Sequence, residues 1–399
     1  MQENTMGIEL NPCCGCAACA VRCPAKAISM LRDEEGFLYP AISREDCINC
    51  KRCISVCPLK GNKIRKDLSK TLAYGVKHKH REVRILSRSG GAFTALSDVI
   101  LSKGGVVYGA AWEEEIRKVI HRRVTTKEER DQLRGSKYLP SDISGCYHCI
   151  RTDLEEGKTV LFTGTGCQIA AVVSFLGKEY TNLYLCDIVC HGVPSAIVFE
   201  DYQNFLDKIF DDRIEKYQFR DKAAFGWKAN IESFQVNNRK RYSNLFAKVY
   251  QTDCIQRPYC YECKYASLDR CSDITIGDFW GIESIHNKFK DKKGTSLVLI
   301  HTKKGLHLFR KMLPEVDFLD CSEENYLQPQ LKHPCLKPSN REDFWKLYKD
   351  MGVSGIAKIM PEGVFGTKHR IYRSIFMGRM KRLVGIVNWR QKNIRKEMG

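Results

Sequence analysis

Cys13-Cys14-Gly15-Cys16-Ala17-Ala18-Cys19-Ala20-Val21-Arg22-Cys23-Pro24 is answered by Cys47-Ile48-Asn49-Cys50-Lys51-Arg52-Cys53-Ile54-Ser55-Val56-Cys57-Pro58. Both runs follow the spacing Cys-x2-Cys-x2-Cys-x3-Cys-Pro, which belongs to bacterial modules holding two [4Fe–4S] clusters. Three thiolates on one tight loop reach three irons of one cubane. The fourth, ahead of a proline turn, points across to the other. This assigns Cys13, Cys16, Cys19 and Cys57 to a first cluster, and Cys47, Cys50, Cys53 and Cys23 to a second. Gly15, Ala17 and Ala18 are small enough for backbone amides to approach the sulfurs and tune the potential. A zinc site needs two Cys-x2-Cys pairs, not two four-cysteine runs each ending in Cys-Pro. Cys14 reads as a buried thiol rather than a ligand.

Working outward, the chain has 399 residues and 43% hydrophobic residues, enough for two or three packed domains. No apolar run is long enough to cross a bilayer, and Met1 to Asn11 lacks the pattern of a signal peptide. A cytoplasmic location is therefore expected, where 20 cysteines serve metal binding rather than disulfides. The net charge of +18 admits nucleic acid, anionic membrane or acidic proteins as partners. Nucleic acid is not expected, because no nucleic-acid motif accompanies the charge.

The fold class expected is α+β. A ferredoxin-like module at 1–64 precedes a larger α/β domain at 71–335, with parts at 71–150 and 151–335. A basic helical tail occupies 336–399. Residues 82–86 read as a short strand, and Ser89-Gly90-Gly91 then opens a helix. Strands are expected at 106–112, 118–124, 159–163 and 183–189, with helices closing near 157, running through 176, and spanning 195–209. That alternation argues for a mostly parallel sheet. Strands at 214–219, 231–236, 274–277 and 296–301 extend it as a mixed region.

Several phrases of the larger domain resemble the coenzyme F420 hydrogenase/dehydrogenase beta-subunit family, in its bacterial branch with an N-terminal ferredoxin module. They include Ser89-Gly90-Gly91-Ala92-Phe93, Arg134-Gly135-Ser136-Lys137-Tyr138, Thr163-Gly164-Thr165-Gly166-Cys167-Gln168 and Cys190-His191-Gly192-Val193-Pro194-Ser195. Arg257-Pro258-x-Cys260-x2-Cys263 and Ile276-Gly277-Asp278-Phe279-Trp280-Gly281 complete the set. The resemblance covers roughly residues 1–335. It implies that the larger domain is of flavin-binding type and holds FAD, and that a third [4Fe–4S] cluster sits on Cys167, Cys190, Cys260 and Cys263. It also implies electrons arriving from a donor such as ferredoxin and leaving to an unknown substrate or partner enzyme. Surface-polysaccharide synthesis is a context associated with this branch. The alternative is a non-enzymatic electron-transfer subunit that serves a partner. Where the family commonly carries proline, position 166 is glycine, which is expected to loosen the turn before Cys167.

Cys167 and Cys190 each follow a strand, where open sheets place their sites. Ser89, Gly90 and Gly91 form a candidate phosphate cradle at a helix start. Lys137 supplies a cation and Tyr138 an aromatic face, while Thr163, Gly164 and Thr165 form a second close-approach loop. No GxGxxG follows a first strand, so the flavin expectation rests on the resemblance. His191 is a candidate proton donor, with a hydrogen-bonded structural histidine as the alternative. Asp278 is a candidate for orienting a loop or bonding a cofactor. Arg220, Asp221 and Lys222 read as a solvated salt-bridge cluster, with binding of an anionic substrate as the alternative. Cys146 and Cys149 read as an incidental pair, Cys271 as a spare ligand candidate, and Cys186, Cys254, Cys321 and Cys335 as core or surface thiols. In 368–396, basic residues alternate with apolar ones at helical spacing. That pattern suits the inner face of a membrane, an acidic partner, or packing against the body.

Overall fold

The structure is a computed structural model that describes residues 12–60, 68, 70–289, 291–359 and 365–366. The basic stretch 368–396 lies outside the described residues.

The N-terminal module is a two-fold pseudo-repeat. Each cysteine loop carries left-handed residues at matching positions: Gly15 and Ala17 in the first, Asn49 and Lys51 in the second. In each loop an amide donates to the first thiol at 3.4 Å, Gly15 N to Cys13 Sγ and Asn49 N to Cys47 Sγ. Short helices Ala18–Arg22 and Arg52–Ser55 follow. An antiparallel pair, Ile28–Arg32 with Leu38–Ile42, joins the two halves. Left-handed backbone at Ala17, Asn49 and Lys51 is disfavoured for residues with a Cβ. Its repetition in both loops marks a shape demanded by what the loops hold.

The larger domain is built on a nine-stranded sheet. Its centre is a parallel run of four strands, Val106–Glu113, Val160–Thr165, Leu183–Ile188 and Ile274–Asp278. Antiparallel strands extend it on both sides, so the sheet is mixed rather than mostly parallel. Leu72–His78, which is not among the expected strands, lies between Ser296–Ile300 and Val316–Cys321. Helices Ala92–Leu101 and Lys303–Met312 cover one face through Leu96, Ile100, Leu308, Phe309 and Met312. Helices Cys146–Glu155 and Gly166–Leu176 cover the other through Tyr147, Ile150, Ile169 and Phe175, a core that also takes in Ala18 and Val56 of the ferredoxin module. A second sheet of four short strands packs on an aromatic core of Phe199, Tyr202, Phe219, Phe234 and Phe246.

Two expectations change. Arg81–Leu86 is a helix, not a strand. Its β-branched residues suggest a strand, but no sheet edge receives it. Arg84 instead pairs with Asp291 at 2.6 Å, and Leu86 faces solvent. The body also continues past residue 335. Helix Arg341–Ile359, kinked at Gly352, buries Phe344, Trp345, Tyr348 and Ile356 in the aromatic core, and Arg341 pairs with Glu35 of the N-terminal module. None of the described helices is long and apolar enough to cross a membrane.

Candidate functional site

Charge couplings among the ferredoxin cysteines run in the crossed sense that the spacing suggests. Cys13 and Cys19 each feel the charge of Cys16 and Cys57, so the distal cysteine of the second run sits with the first loop. Cys53 feels Cys50 and Cys23 in the same crossed way. Cys23, Cys47, Cys50 and Cys53 line a cavity of about 330 Å³. Among the described residues, no three metal-binding side chains gather round one point as a single ion requires. A cubane instead presents a separate iron to each thiolate.

The first loop faces inward. Arg257, 5% exposed, donates from Nε to Cys13 O at 2.6 Å and from Nη2 to Leu38 O at 2.7 Å. A Cβ on Gly15 would stand 2.7 Å from the Arg257 guanidinium, so the left-handed glycine permits this approach. Tyr147 Oη donates to Cys16 O at 2.8 Å, and Tyr265 Oη to Pro58 O at 3.2 Å.

Behind this loop, the carboxyl ends of parallel strands Val160–Thr165 and Leu183–Ile188 deliver Cys167 and Cys190, as the strand-end rule expects. The 3-10 turn Pro258–Glu262 delivers Cys260, and Cys263 follows it. A Pro194–Gln256 bridge and the Arg257 N to Val193 O bond (2.9 Å) hold that turn against the loop after Cys190. Val193 N donates to Cys260 Sγ at 3.4 Å. The four thiols lie within electrostatic reach of one another: Cys190 feels Cys167 and Cys263, and Cys260 feels the other three. Burial pushes the Cys190 and Cys260 thiols well up and that of Cys263 to about 11, while the neighbouring Cys14 thiol and Thr165 hydroxyl bring Cys167 down to about 7. Buried thiols this hard to ionise become ligands when a cationic core stabilises the thiolates.

Glycine at 166 does not loosen the turn. Thr165 and Gln168 form a capping box that closes the helix start. A Cβ on Gly166 would lie 2.9 Å from Tyr265 Cβ, so the glycine makes room for the tyrosine that reaches Pro58.

The thiol sets border a cavity of about 1110 Å³. Ser89, Gly91, Lys137, Tyr138, Thr163, Gly164, Thr165 and His191 all line it, together with Cys14, Cys16, Cys167 and Cys190. Gly90 does not. A Cβ there would collide with Val76 O at 2.1 Å, so this glycine serves strand packing. The Ser89 hydroxyl is committed to Thr295 O at 2.6 Å. Lys137 Nζ donates to the carbonyls of Gln132, Leu133 and Arg134, which closes a helix end rather than leaving the ammonium free for a pyrophosphate. Tyr138 accepts from Arg220 at 3.1 Å and packs against Tyr250. His191 has both ring nitrogens engaged, Nε2 with Asp253 at 2.5 Å and Nδ1 with Gln330 at 2.9 Å. These two contacts hold the imidazole in place at the cavity wall. Asp278 accepts from Trp227 Nε1 and pairs with Arg88, each at 2.8 Å, and so orients the loop carrying Trp280.

Arg220, Asp221 and Lys222 are not a solvated cluster. Asp221 is 3% and Lys222 8% exposed, and the Lys222 ammonium binds the carbonyls of Arg84, Ser89 and Lys293. Cys146 is buried and Cys149 exposed, so they do not act as a pair. The sequence reading gives no site role to Cys14, read there as a buried thiol, or to Arg257, and the structure sets both at the site. Cys14 lies within electrostatic reach of both Cys16 and Cys167, between the first ferredoxin set and the third. The Cys13-Cys14 doublet is the one sequence signal for it.

Thr163 depends on His121, which is 6% exposed. Its Nε2 bonds Thr163 O at 2.8 Å and its Nδ1 bonds Ser141 Oγ at 2.6 Å. Burial lowers its pKa from 6.5 to about 4. Below pH 6.5 the unfolded chain protonates this histidine while the folded chain does not, so stability falls as pH drops toward 4. About 2 kcal/mol should be lost between pH 7 and pH 5 on this account. Anaerobic urea unfolding at both pH values should show that loss in the wild type and a smaller one in His121→Gln. Equal losses would refute the assignment.

Two family models match the chain. One describes the C terminus of the coenzyme F420 hydrogenase/dehydrogenase beta subunit and matches residues 157–321. The other, a 4Fe-4S dicluster domain, matches residues 12–60. Over residues 157–321 the chain is thus similar to the C terminus of that beta subunit, and over residues 12–60 to a 4Fe-4S dicluster domain, which supports iron–sulfur clusters in the N-terminal module. The C-terminal family model spans the strands that deliver Cys167 and Cys190 and the turn that delivers Cys260 and Cys263. No curated protein sequence matches the chain. Among solved structures it is similar to a chain of the xenon-derivatised F420-reducing [NiFe] hydrogenase complex from Methanosarcina barkeri. The identity is 19%, with 76% of this chain and 94% of that chain covered, at a TM-score of 0.42.

Proposed function

We propose that the chain is an iron–sulfur flavoprotein oxidoreductase that draws electrons in through its ferredoxin module and delivers them into the large cavity. The observation that carries this reading is the order of the thiol sets. The Cys23, Cys47, Cys50 and Cys53 set lies toward solvent, the Cys13, Cys16, Cys19 and Cys57 set faces the larger domain, and Cys167 and Cys190 line the cavity.

The residues fit a bound FAD. The cavity exceeds the usual 300–1,000 Å³ or so of a small-ligand pocket, which leaves room for a cofactor and a co-reactant. Arg88 lines it with a buried Nε that has no hydrogen-bond partner, a donor suited to an anionic phosphate. Gly91 opens helix Ala92–Leu101 at the cavity wall, and Tyr138 offers an aromatic face. Clusters move single electrons and a flavin stores two, so the pair joins a one-electron donor to a two-electron acceptor. Tyr138, Tyr250 and Arg220 form the wall that would orient a planar ring. Trp280, stacked on Trp227 at 4.6 Å, forms a second aromatic surface in the cavity lining.

Anaerobic purification with iron, sulfide and flavin counted per chain tests the reading. About twelve irons and one flavin are expected. About eight irons without flavin would reduce the chain to an electron-transfer subunit serving a partner enzyme.

A further inference from the structure

Among the eight ferredoxin cysteines, Cys50 alone is exposed. Around it stand two large apolar side chains in solvent, Ile48 at 65% exposure and Ile54 at 41%. Lys51 and Arg52 are exposed between them and pair with no described residue. The wider segment 44–60 carries four cations, Arg44, Lys51, Arg52 and Lys60, against the two carboxylates of Glu45 and Asp46. Directly beneath lies the cavity of about 330 Å³ lined by the second cysteine set together with Ile48, Lys51, Arg52 and Ile54.

The equivalent end of the first loop is closed. Where the second loop exposes Ile48 to Ile54, the first is covered by Arg257, Tyr147 and the core contacts of Ala18. A pseudo-symmetric module has thus buried one end in its own chain and left the other bare. Two exposed isoleucines gain nothing from solvent, and unpaired cations beside them hold off self-association.

We infer that this end of the ferredoxin module is the docking face for a small acidic electron-carrier protein. The inference rests on the proposal that electrons enter through this module. Charge complementarity selects the occupant, because a basic rim steers an acidic carrier and repels basic ones. The apolar pair supplies the dry centre of a contact. Electron-transfer encounters are small, below about 1,200 Å², so two isoleucines and a few cations are a sufficient patch. Cys50 would then lie at the shortest approach between the carrier and the second cysteine set.

Stopped-flow reduction of the full chain, with its clusters reconstituted anaerobically, tests the face. The probe is a reduced acidic [2Fe–2S] ferredoxin, and reduced methyl viologen is the small cationic control. The ferredoxin rate should fall roughly tenfold as salt rises from about 20 to about 300 mM. At low salt, Lys51→Glu/Arg52→Glu should lower it by about tenfold or more, with iron content and viologen rate retained. Ile48→Ser should slow ferredoxin without altering the salt slope, and Arg239→Glu, on the second sheet, should change nothing. A ferredoxin rate indifferent to salt and to the charge reversal would overturn the docking face. So would a wild type that dimerises through this patch and a monomeric Ile48→Ser. An iron-replete chain whose clusters viologen cannot reduce would instead overturn the parent proposal.

Discussion

Replacing Cys263 by serine should remove about four irons per chain and leave the eight of the ferredoxin module in place. Reduction of a bound flavin by the ferredoxin module should then slow by about a hundredfold or more, since 1.4 kcal/mol of barrier is already tenfold. Cys263 closes the turn that begins at Pro258, and its thiol meets Cys167 and Cys260. Burial there disfavours an isolated anion, and a serine hydroxyl, harder still to ionise than a thiol, is a poor replacement for a soft thiolate. Iron analysis with the electron paramagnetic resonance of the reduced protein reads the result. Cys14→Ser is the discriminating partner, because Cys14 also lies within electrostatic reach of Cys167. It should keep its full iron complement. If Cys14→Ser lost four irons and Cys263→Ser none, the third ligand set would be wrongly drawn.

Arg270→Met should be the most destabilising single change, at about 3–5 kcal/mol. Arg270 is 2% and Asp187 0% exposed, and they meet at 3.0 Å. Arg270 Nη1 also donates to Ile188 O at 3.3 Å, which ties down the strand end just before Cys190. Asp187 accepts from Thr275 of the neighbouring parallel strand as well. Removing the guanidinium strands a buried carboxylate at the centre of the sheet. Anaerobic urea unfolding followed by tryptophan fluorescence measures the loss. Replacing both members, as Asp187→Leu with Arg270→Met, should recover a large part of it, since the uncompensated charge is then gone. A midpoint unchanged in Arg270→Met would show that the pair contributes little. The same variant should also weaken the third thiol set, because Cys190 depends on that strand end.

Most of the parallel centre of the sheet is legible in the sequence. Strands such as Val160–Thr165 and the helix ending at Leu176 carry their pattern locally, because one face or both are apolar. Leu72–His78 is not legible, although it sits between two other strands. It contains Gly75 and ends on Lys77 and His78, so its burial comes from neighbours rather than from its own pattern. The helix Arg81–Leu86 misleads for the opposite reason. Its β-branched residues favour a strand, but no partner edge exists, and the Arg84–Asp291 pair ties it to the loop before Ser296.

The sequence by itself determined the 4Fe-4S dicluster module, because the cysteine spacing lies within two short loops and needs no distant contact to be read. It also placed Cys167 and Cys190 at strand ends. Tertiary structure decided which candidates are free to act. Lys137 and His191 read as a free cation and a free proton donor, yet the fold surrounds one with carbonyls and engages both nitrogens of the other. It likewise buried Lys222, brought Cys14 and Arg257 between two thiol sets, and left Ile48 and Ile54 bare. The partners of His191, Lys222 and Arg257 lie tens to hundreds of positions away, so no local spacing encodes them, and even the nearby carbonyls that hold Lys137 converge only through the turn the backbone takes there.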